Sequence, residues 1–549
     1  MLKISILQAL LISAYVGWAH AYVGYTFGCE PLNSALVTSL VVGIILGKVP
    51  EAVTIGAAIQ LLYMGIVEVG GTVVQDPNVA AAVAIPVALA SGLTPEQAVT
   101  VAVPVGLLAA FLTNVKYFIN SFFVHAADRY ATEENTKMIA IYATIIPILV
   151  TIILYIIPTF IAIYSGSAAI NNIIHFIPQS VMHALEVIGG ALPALGFALA
   201  IFVIGRQDLL LFFVSAFFIP VSLSVLKLNV PENMTILFAI FGSAIAYLYV
   251  MLKSKDNPQE KEGAATSDSG TLDTSAKILS DKDLRSTWNR WWWWAETSHS
   301  YERLQSLAFC NALAPNLKKL YKGGEELKKA LTRHLEFFNT EGIWGGGPIL
   351  GITLSMEESR AKALESGKEA LDPGVISATK FGLMGSLAGI GDSIDWATLF
   401  YILIGILLPW AKAGLWISPV LFVAIFATTT YLIGYYLFMQ SYRLGRISVT
   451  QWLQSGLIRK IQEGLSVLGM FMMGILSSTY VNISSSLKWT ISGQTFALQD
   501  ILDGILPGLL PFATIMLLYL FFSKKGLKIV QAALFLIVIF GILGLIGVL

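Results

Sequence analysis

The chain has 549 residues, of which 56% are hydrophobic and only 12% are charged, and its formal net charge at pH 7 is zero. Soluble proteins are usually about a quarter charged, so this composition excludes an ordinary soluble protein, and the zero net charge excludes a global basic field for nucleic acid. Cys29 and Cys310 are the only cysteines, too few for a disulfide framework or a cysteine-based metal site.

Apolar stretches recur through the first 252 residues, and many reach the roughly 20 residues that a membrane span needs. The first has the composition of a secretory signal peptide, but no clean cleavage site follows it, so we expect it to stay in the membrane. We predict spans near residues 4–24, 79–112, 137–164, 181–204, 208–227 and 232–252. Between residues 33 and 67, Lys48, Pro50 and Glu51 divide the apolar sequence into two short pieces, which predicts broken or re-entrant helices.

Two acidic residues, Glu68 and Asp76, lie in the segment VEVGGTVVQDPN between long apolar runs. Charges at membrane depth are costly and therefore mark candidate functional sites. Asp76 followed by Pro77 predicts a helix start, whose free N–H groups could face a polar ligand. Gln60, upstream, adds an amide that can both donate and accept. The alternative is that Asp76 only caps a loop at the membrane surface.

The composition changes at Lys253. Residues 253–280 are polar and rich in small residues, which predicts a flexible linker. Residues 281–343 show apolar residues at helical spacing, as in LKKALTRHLEFF, which predicts amphipathic helices on the membrane surface or packed on the membrane domain. The run Trp291–Trp294 predicts an interfacial anchor, although four consecutive indoles cannot share one helical face.

A second membrane block occupies residues 344–549, with spans predicted near 374–410, 415–440, 460–482, 500–522 and 527–548. It opens with WGGGPILGITLSMEESR, whose glycines and Pro348 predict a backbone break before a short apolar stretch that Glu357 and Glu358 end. An ordinary glycine-rich loop explains the same residues. Lys253 and Lys255, at the end of the first block, favour a cytoplasmic linker by the positive-inside tendency.

The segment GLMGSLAGIGDSIDW is acidic and glycine-rich inside a stretch apolar enough to span. It places Asp392 and Asp395 where a charge is costly. Gly382, Gly385 and Gly389 share one helical face, which predicts close helix packing.

Gly391 is expected to let the chain turn, so that Asp392 and Ser393 present a carboxylate and a hydroxyl together. Sugars are bound by such groups, with an aromatic ring such as Trp396 against the apolar face of the sugar. Carboxylates and backbone carbonyls equally suit a cation. The residues alone leave both kinds of site open.

Catalytic and nucleotide-binding motifs are absent from the sequence. The six histidines show no short metal-ligand spacing, and His334 lies on an apolar stripe where packing explains it. Neither GxxxxGK[ST] nor GxSxG occurs. We therefore expect no catalytic residue, cofactor or metal, and the energy for uphill transport must come from an ion gradient or from a partner.

Several strings of the second half resemble the enzyme IID subunit of mannose-type sugar phosphotransferase systems: SYERLQSLAFCNALAPNLKKLY, RHLEFFNTEG, GGPILGITLSMEE, GLMGSLAGIGDSIDW and IQEGLSVLGMFMMG. The first half resembles enzyme IIC of the same family in LVVGIILGKVPEAVTIGAAIQLLYMGIVEVGG and DPNVAAAVA. The chain is thus similar to a IIC–IID pair fused through a linker. This predicts a IIC-like domain (1–252), the linker (253–280), amphipathic helices (281–343) and a IID-like membrane domain (344–549).

The resemblance implies an all-α polytopic membrane protein, with two helical membrane domains that contain broken helices and with amphipathic surface helices. It implies a permease that imports a hexose-type sugar and works with separate IIA and IIB proteins, in which phosphate from phosphoenolpyruvate reaches the sugar from a histidine of IIB. It also implies an elevator-like movement, a homotrimer, and a bacterial inner membrane with the linker in the cytoplasm. No nucleic-acid partner is expected.

The resemblance also assigns sugar-site positions, one residue at a time: Gln60, Glu68 and Asp76 on the IIC side, and Gly391, Asp392 and Ser393 on the IID side. Relatives often carry glutamate at position 60 and asparagine at position 68, so donors and acceptors are exchanged and the identity of the sugar stays open. The alternative function is an ion-coupled secondary sugar transporter that uses the acidic residues for protons or Na⁺. A receptor role for a bacteriocin or phage needs only the exterior surface and could coexist with transport.

Overall fold

A computed structural model describes residues 4–64, 75–173, 179–204, 207–226, 234–255, 278–454, 457–491, 494–526 and 528–549. The predicted linker therefore falls largely outside the described residues. A short π-helical turn, Tyr25–Cys29, follows the first helix. The helices of the first half are α1 (Ile6–Ala19), α2 (Ala35–Leu46), α3 (Val49–Leu62), α4 (Pro77–Ser91), α5 (Pro95–Thr132), α6 (Thr136–Ala143), α7 (Ile145–Ile173), α8 (Gln179–Ala191), α9 (Pro193–Ile204), α10 (Leu210–Val225) and α11 (Met234–Lys255).

The second half is also helical, and its one described sheet is an antiparallel hairpin of β1 (Lys488–Ile491) and β2 (Gln494–Ala497), in which Trp489 pairs with Phe496. The all-α class is confirmed apart from this hairpin. The helices are α12 (Asp281–Trp294), α13 (Ser306–Tyr321), α14 (Glu325–His334), α15 (Gly346–Glu365), α16 (Pro373–Gly391), α17 (Phe400–Lys412), α18 (Ile417–Gln454), α19 (Leu457–Tyr480), α20 (Leu498–Ile505), α21 (Leu509–Lys525) and α22 (Ile529–Leu545).

Within the described residues, five helices are long and apolar enough to cross a membrane, and the pair α20–α21, bent by 72°, could form a sixth span. Several stretches predicted as single spans are divided between two helices, among them 79–112 and 181–204. The stretch 79–112 breaks at Gly92, where φ is +69°, and restarts at Thr94, whose hydroxyl caps Gln97 N. The stretch 181–204 breaks before Pro193, which cannot donate a backbone hydrogen bond to continue α8.

The broken helix predicted between residues 33 and 67 is confirmed. Helix α2 ends at Gly47, whose φ of +67° is left-handed, and α3 starts two residues later with Pro50 in its first turn. The two short helices pack against each other. Adding a side chain at Gly56 would collide with Ser39 across that contact, so the pair depends on a glycine for its close approach.

The tryptophan run lies in α12 and packs mainly against protein. The indole N–H of Trp291 donates to Gly342 O at 2.8 Å, and that of Trp292 donates to Thr26 Oγ1 at 3.0 Å. Only Trp293 of the four is exposed, at 41%. The first two indoles face the protein interior, so the predicted interfacial anchor stays a prediction for Trp293 and Trp294 only.

The chain turns at residues 342–345, but α15 then runs from Gly346 through Pro348 and both glutamates to Glu365, so the predicted break at Pro348 and the predicted end at Glu357 and Glu358 do not occur. Glu357 accepts hydrogen bonds from Arg333 and His334 at 2.7–2.8 Å. Burial opposes the ionisation of Glu357, but these hydrogen bonds outweigh it and lower the pKa to about 2. Because the Glu357 carboxylate is paired, α15 can continue through this buried position. His334 is buried, which agrees with its interpretation as a packed residue.

The turn predicted at Gly391 is also absent. The helix α16 continues through Gly391, with φ −63° and ψ −46°, into a π-helical segment, Asp392–Leu399, and then into α17. Side chains placed at Gly382 and Gly389 would meet nothing within 4 Å, so the predicted small-residue packing face is wrong for these two glycines. A π-helical segment inside an α-helix is frequently found at functional sites.

The two halves of the chain pack extensively on each other. The largest buried apolar cluster draws residues from α1–α5 and α7–α11 of the first half and from α17–α19, α21 and α22 of the second half. Polar contacts also join the halves: Arg303 donates to both carboxylate oxygens of Asp128 at 2.7 and 2.8 Å, and Thr297 donates to Tyr22 O at 3.1 Å. The halves therefore form one folded body with an interior seam.

Candidate functional site

A cavity of about 170 Å³ lies on the seam between the two halves. Pockets for drug-sized ligands are larger, about 300–1,000 Å³, so this cavity suits a ligand of monosaccharide size. Its lining combines aromatic rings with carboxyl, amide and hydroxyl groups. The first half contributes Tyr22, Tyr25, Cys29, Glu30 and Tyr117, and the second half contributes Glu296, His299, Gln305, Asn339, Thr340, Glu341, Ala388, Asp392, Trp396, Phe400 and Tyr401.

Glu296 is the acid of the cavity with the most side-chain partners. Its carboxylate contacts His299 Nδ1 at 2.6 Å and accepts a short hydrogen bond from the Gln305 amide. Burial opposes ionisation, but the histidine charge and these two hydrogen bonds hold the pKa of Glu296 below its usual value. Gln305 Oε1 in turn accepts from Thr340 N at 2.9 Å. The three side chains thus form a fixed polar wall.

Glu341 lies in the loop before α15 and accepts from Ile343 N at 2.9 Å and from Trp344 N at 2.6 Å. Burial and the nearby carboxyl groups of Asp395 and Asp392 raise the pKa of Glu341 well above its usual value. Trp344 Nε1 donates to Asp395 Oδ1 at 2.9 Å, so the loop is tied to the π-helical segment. These hydrogen bonds hold Glu341 and its loop beside the π-helical segment that carries Asp392.

The carboxyl groups of two acids of the cavity, Glu30 and Asp392, have no hydrogen-bond partner within the part of the chain that the structure describes. Burial, followed by the charges of Glu296 and Asp76, raises the pKa of Glu30 to about 7. The rings of Tyr25 and Trp396 meet edge to face at 5.6 Å on the same lining. The arrangement offers two carboxyl groups without a protein partner among the described residues, one from each half of the chain, next to an aromatic surface.

The structure places Asp76 at the start of α4, where Asp76 Oδ1 accepts from Val79 N at 2.9 Å, as an N-cap residue does. Its second oxygen contacts His20 Nε2 at 2.8 Å, and both residues are buried. His20 Nδ1 contacts Val16 O at 2.9 Å, and its ring stacks on Tyr155 at 3.8 Å. Asp76 is thus engaged with protein on both oxygens and does not line the cavity.

We expect His20→Ala to lower the free energy of unfolding by about 3–5 kcal/mol, because it leaves the buried Asp76 carboxylate without its partner. Denaturant unfolding of the purified protein in mixed micelles measures this. His125→Ala is the matched control: His125 is 56% exposed and pairs with Glu302 at 2.7 Å, so its loss should cost less than about 1 kcal/mol. Equal effects of the two substitutions would contradict the importance of the buried pair.

The other predicted site residues are distributed differently. Gln60 is buried and its Oε1 accepts from Leu36 N at 3.1 Å, away from the cavity lining. Ser393 Oγ donates to Gly389 O at 2.7 Å within its own helix. Gly391 lies against Glu341, which lines the cavity. Glu68 lies outside the described residues. Of the five that the structure describes, Asp392 alone lines the cavity, and the sugar-ligand roles of all six stay predictions.

The cavity includes three acids that the sequence reasoning did not select: Glu30, Glu296 and Glu341. Glu296 could have been noticed because His299 follows it at i+3, next to an aromatic run. Glu341 lies inside RHLEFFNTEG but has no local pattern that distinguishes it from a surface acid. Among the described residues, no group of three or more His, Cys, Asp and Glu side chains could hold a metal ion.

Comparison with known protein families gives a match in each half. A family profile described as the IID component of the mannose/fructose/sorbose family of phosphotransferase systems matches residues 278–549. A profile described as a sorbose-specific IIC component matches residues 6–248.

Individual proteins give the same division. The sorbose-specific EIID component of Lacticaseibacillus casei is 37% identical over 246 residues, which cover 44% of this chain and 85% of that protein. The mannose-specific EIID component of Escherichia coli is 36% identical over 248 residues, with coverage of 44% and 85%. The mannose-specific EIIC component of Escherichia coli is 23% identical over 256 residues, which cover 47% of this chain and 92% of that protein.

Two solved structures are similar at 34% identity. One, titled as the structure of a membrane protein, has a TM-score of 0.44 and covers 50% of this chain and 99% of its own. The other, a cryo-EM structure of a mannose transporter in complex with a microcin, has a TM-score of 0.29 and covers 50% of this chain and 97% of its own.

Proposed function

The chain belongs to the mannose/fructose/sorbose family of phosphotransferase-system sugar permeases, with a IIC-like and a IID-like half in one polypeptide, and we propose that it holds a hexose-type sugar in the cavity between these halves. The observation that carries this proposal is the pair of carboxyl groups, Glu30 and Asp392, that lack a partner among the described residues and lie beside Trp396. Carboxylates accept hydrogen bonds from sugar hydroxyls, and an aromatic ring covers the apolar sugar face.

The two halves have different tasks in this proposal. The first half contributes Glu30 and Tyr25, and the second contributes Asp392 and Trp396, so that the sugar is held only when both are in place. Glu296 and Glu341 are already engaged with protein groups, and they shape the wall and limit the size of the ligand. The predicted ligands Gln60, Glu68, Asp76, Gly391 and Ser393 remain part of the proposal as residues that could meet the sugar in another state of the transport cycle.

Phosphorylation completes the import. A primary hydroxyl of the sugar attacks the phosphorus of a phosphohistidine on IIB, the P–N bond breaks, and the hydroxyl proton is released as the sugar phosphate forms. Such a transfer needs mainly positioning and charge neutralisation, so this chain supplies orientation while IIB supplies the histidine. IIA and IIB are separate proteins in this scheme.

The expected assembly and movement belong to the same proposal. The permease lies in the bacterial inner membrane with the 253–280 linker in the cytoplasm, which the lysines at the end of α11 favour. The boundaries at 252, 280 and 343 separate a IIC-like domain, a linker, amphipathic helices and a IID-like membrane domain. Three copies form a homotrimer, and the sugar site moves across the membrane like an elevator.

The test is uptake of a panel of labelled sugars in cells that contain this chain and a cognate IIA/IIB pair, with the phosphorylation state of the product recorded. We expect phosphorylated product that depends on phosphoenolpyruvate and on IIB. Unmodified sugar whose uptake collapses with an ionophore would contradict the proposal and favour ion coupling.

A further inference from the structure

The helix α12 has two opposite faces. Its inner face packs into the protein through Trp288, Trp291 and Trp292. The outer face lines a second cavity, an open groove of about 450 Å³, whose lining includes Lys282, Arg285, Arg290, Trp293 and Trp294. Along this face the cations come first, and the indoles follow at the carboxyl end.

The helix lies along a membrane-spanning helix. The Trp292 ring meets the Tyr431 ring of α18 at 5.1 Å, and the Trp288 ring meets Phe438 at 6.2 Å. Tyr431 Oη donates to Asn289 Oδ1 at 2.7 Å, and Asn289 also lines the groove. Later residues of α12 meet earlier residues of α18, so the two helices run antiparallel.

The antiparallel packing of α12 on α18 sets the position of each part of the groove along the membrane-spanning helix. The candidate span of α18 ends at Arg443. Tyr442, the residue before Arg443, donates a hydrogen bond to Glu358. The backbone N–H of Leu279, just before α12, donates to the same carboxylate. The cationic end of α12 therefore lies level with the charged end of the span, and Trp293 follows Arg290, the last cation of the groove, by about 5 Å at 1.5 Å per residue.

The cations of the groove are not neutralised by the protein. No carboxylate forms an ion pair with Lys282, Arg285 or Arg290 among the residues that the structure describes. Asp283 lies between Lys282 and Arg285 in the sequence, but its carboxylate pairs with Lys319 at 2.6 Å. Three positive charges therefore face an open groove.

The groove is continuous with a surface suited to lipid. On α18, Leu432 is 58% exposed and Tyr436 is 56% exposed, next to Tyr431 and within a helix long and apolar enough to span. Cations near a membrane boundary attract anionic headgroups, and indoles favour the zone between headgroups and acyl chains. An acidic protein would match the cations but not the deeper indoles.

We propose that this groove binds an anionic phospholipid, with its phosphate on Lys282, Arg285 and Arg290 and its glycerol and upper acyl region against Trp293 and Trp294. The site lies on the outside of α12 and does not depend on the sugar site. A lipid bound there would hold α12 at the membrane boundary. The inner face of α12 packs against the loop before α15, where the Trp291 indole donates a hydrogen bond to Gly342 O.

The test places the purified protein in nanodiscs of phosphatidylcholine doped with brominated phosphatidylglycerol and follows quenching of tryptophan fluorescence. We expect the anionic lipid to quench more than an equal fraction of brominated phosphatidylcholine, because both lipids reach the exposed Trp18 and Trp416 but only the anionic lipid is concentrated at the groove. The triple variant Lys282→Ala, Arg285→Ala and Arg290→Ala should weaken this preference by roughly fivefold for each cation removed. The control variant Lys137→Ala, Lys318→Ala and Lys368→Ala removes the same charge from exposed positions elsewhere and should leave the preference intact.

A second variant guards against misfolding of the first. Trp293→Phe with Trp294→Phe keeps the charges and the apolar rings, and it should remove the excess quenching by the anionic lipid while phosphatidylglycerol, counted by native mass spectrometry, stays bound. Equal quenching by both brominated lipids, or an equal loss in the control variant, would overturn the proposal. Displacement of the lipid by inorganic phosphate alone, or binding only when a IIB protein is added, would also overturn it.

Discussion

Asp392→Asn is expected to lower sugar uptake and sugar phosphorylation together, by about ten- to a hundredfold, because a hydrogen bond to a charged group is worth about 1.5–3 kcal/mol. The carboxylate lines the cavity and has no partner in the described part of the chain, so it is free to accept from a sugar hydroxyl. The amide keeps the shape and one acceptor oxygen but loses the charge. The measurement is the initial rate of uptake with IIA and IIB present, together with the amount of phosphorylated product.

A matched control separates a role in the cavity from a general effect of removing an acid. Asp500 is exposed on α20 in the same half of the chain, and Asp500→Asn should leave both rates near those of the unmodified protein. The amount of each variant in the membrane is measured in parallel. Normal uptake by Asp392→Asn at normal abundance would remove Asp392 from the site.

Gly391→Ala is expected to impair transport through a purely steric route. A methyl group at this position would collide with Glu341 Oε2 and lie 2.5 Å from Glu341 Cγ and 2.6 Å from Glu341 Cβ. The glutamate would have to leave the backbone N–H groups of Ile343 and Trp344 that it accepts from. Overpacking of this kind typically costs about 1–3 kcal/mol, and here it also displaces one wall of the cavity.

Gly389→Ala, two residues earlier in the same helix, is the control. A methyl group there meets nothing within 4 Å, and alanine is favoured over glycine in a helix interior by about 1 kcal/mol. We therefore expect unchanged or slightly higher thermal stability and normal uptake for Gly389→Ala, with a lower stability and a tenfold or greater loss of uptake for Gly391→Ala by this steric estimate. Equal behaviour of the two variants would show that the Glu341 contact does not matter.

Features that depend on near neighbours were predictable. The helix start at Asp76–Pro77, the break between α2 and α3, and the amphipathic α14 all follow from residues within a few positions of one another. The prediction that the apolar stretch of α15 ends at Glu357 and Glu358 was wrong because Glu357 is paired with Arg333 and His334, partners more than 20 positions away. The turn predicted at Gly391 was wrong because glycine permits a turn without requiring one.

The candidate site was predictable only in part. Asp392 and Trp396 stood out because an acid and an indole in a glycine-rich apolar stretch are unusual, and both line the cavity. Glu30 and Glu296 resemble ordinary boundary residues in the sequence, and only packing places them beside Asp392. The pairing of Asp76 with His20, 56 positions apart, likewise has no local pattern.

The sequence by itself determined the class of protein, its division into two helical membrane halves, the local starts and breaks of several helices, and the family to which the strings point. Hydrophobic composition determines whether a segment favours lipid or water, and helix-capping residues bond to neighbours along the chain. Both effects can therefore be predicted without a structure. The tertiary structure alone decided which acids share the cavity, which tryptophans are buried, and that Gly391 must remain small beside Glu341. These properties arise from contacts between segments up to several hundred residues apart, whose meeting depends on how every intervening helix packs.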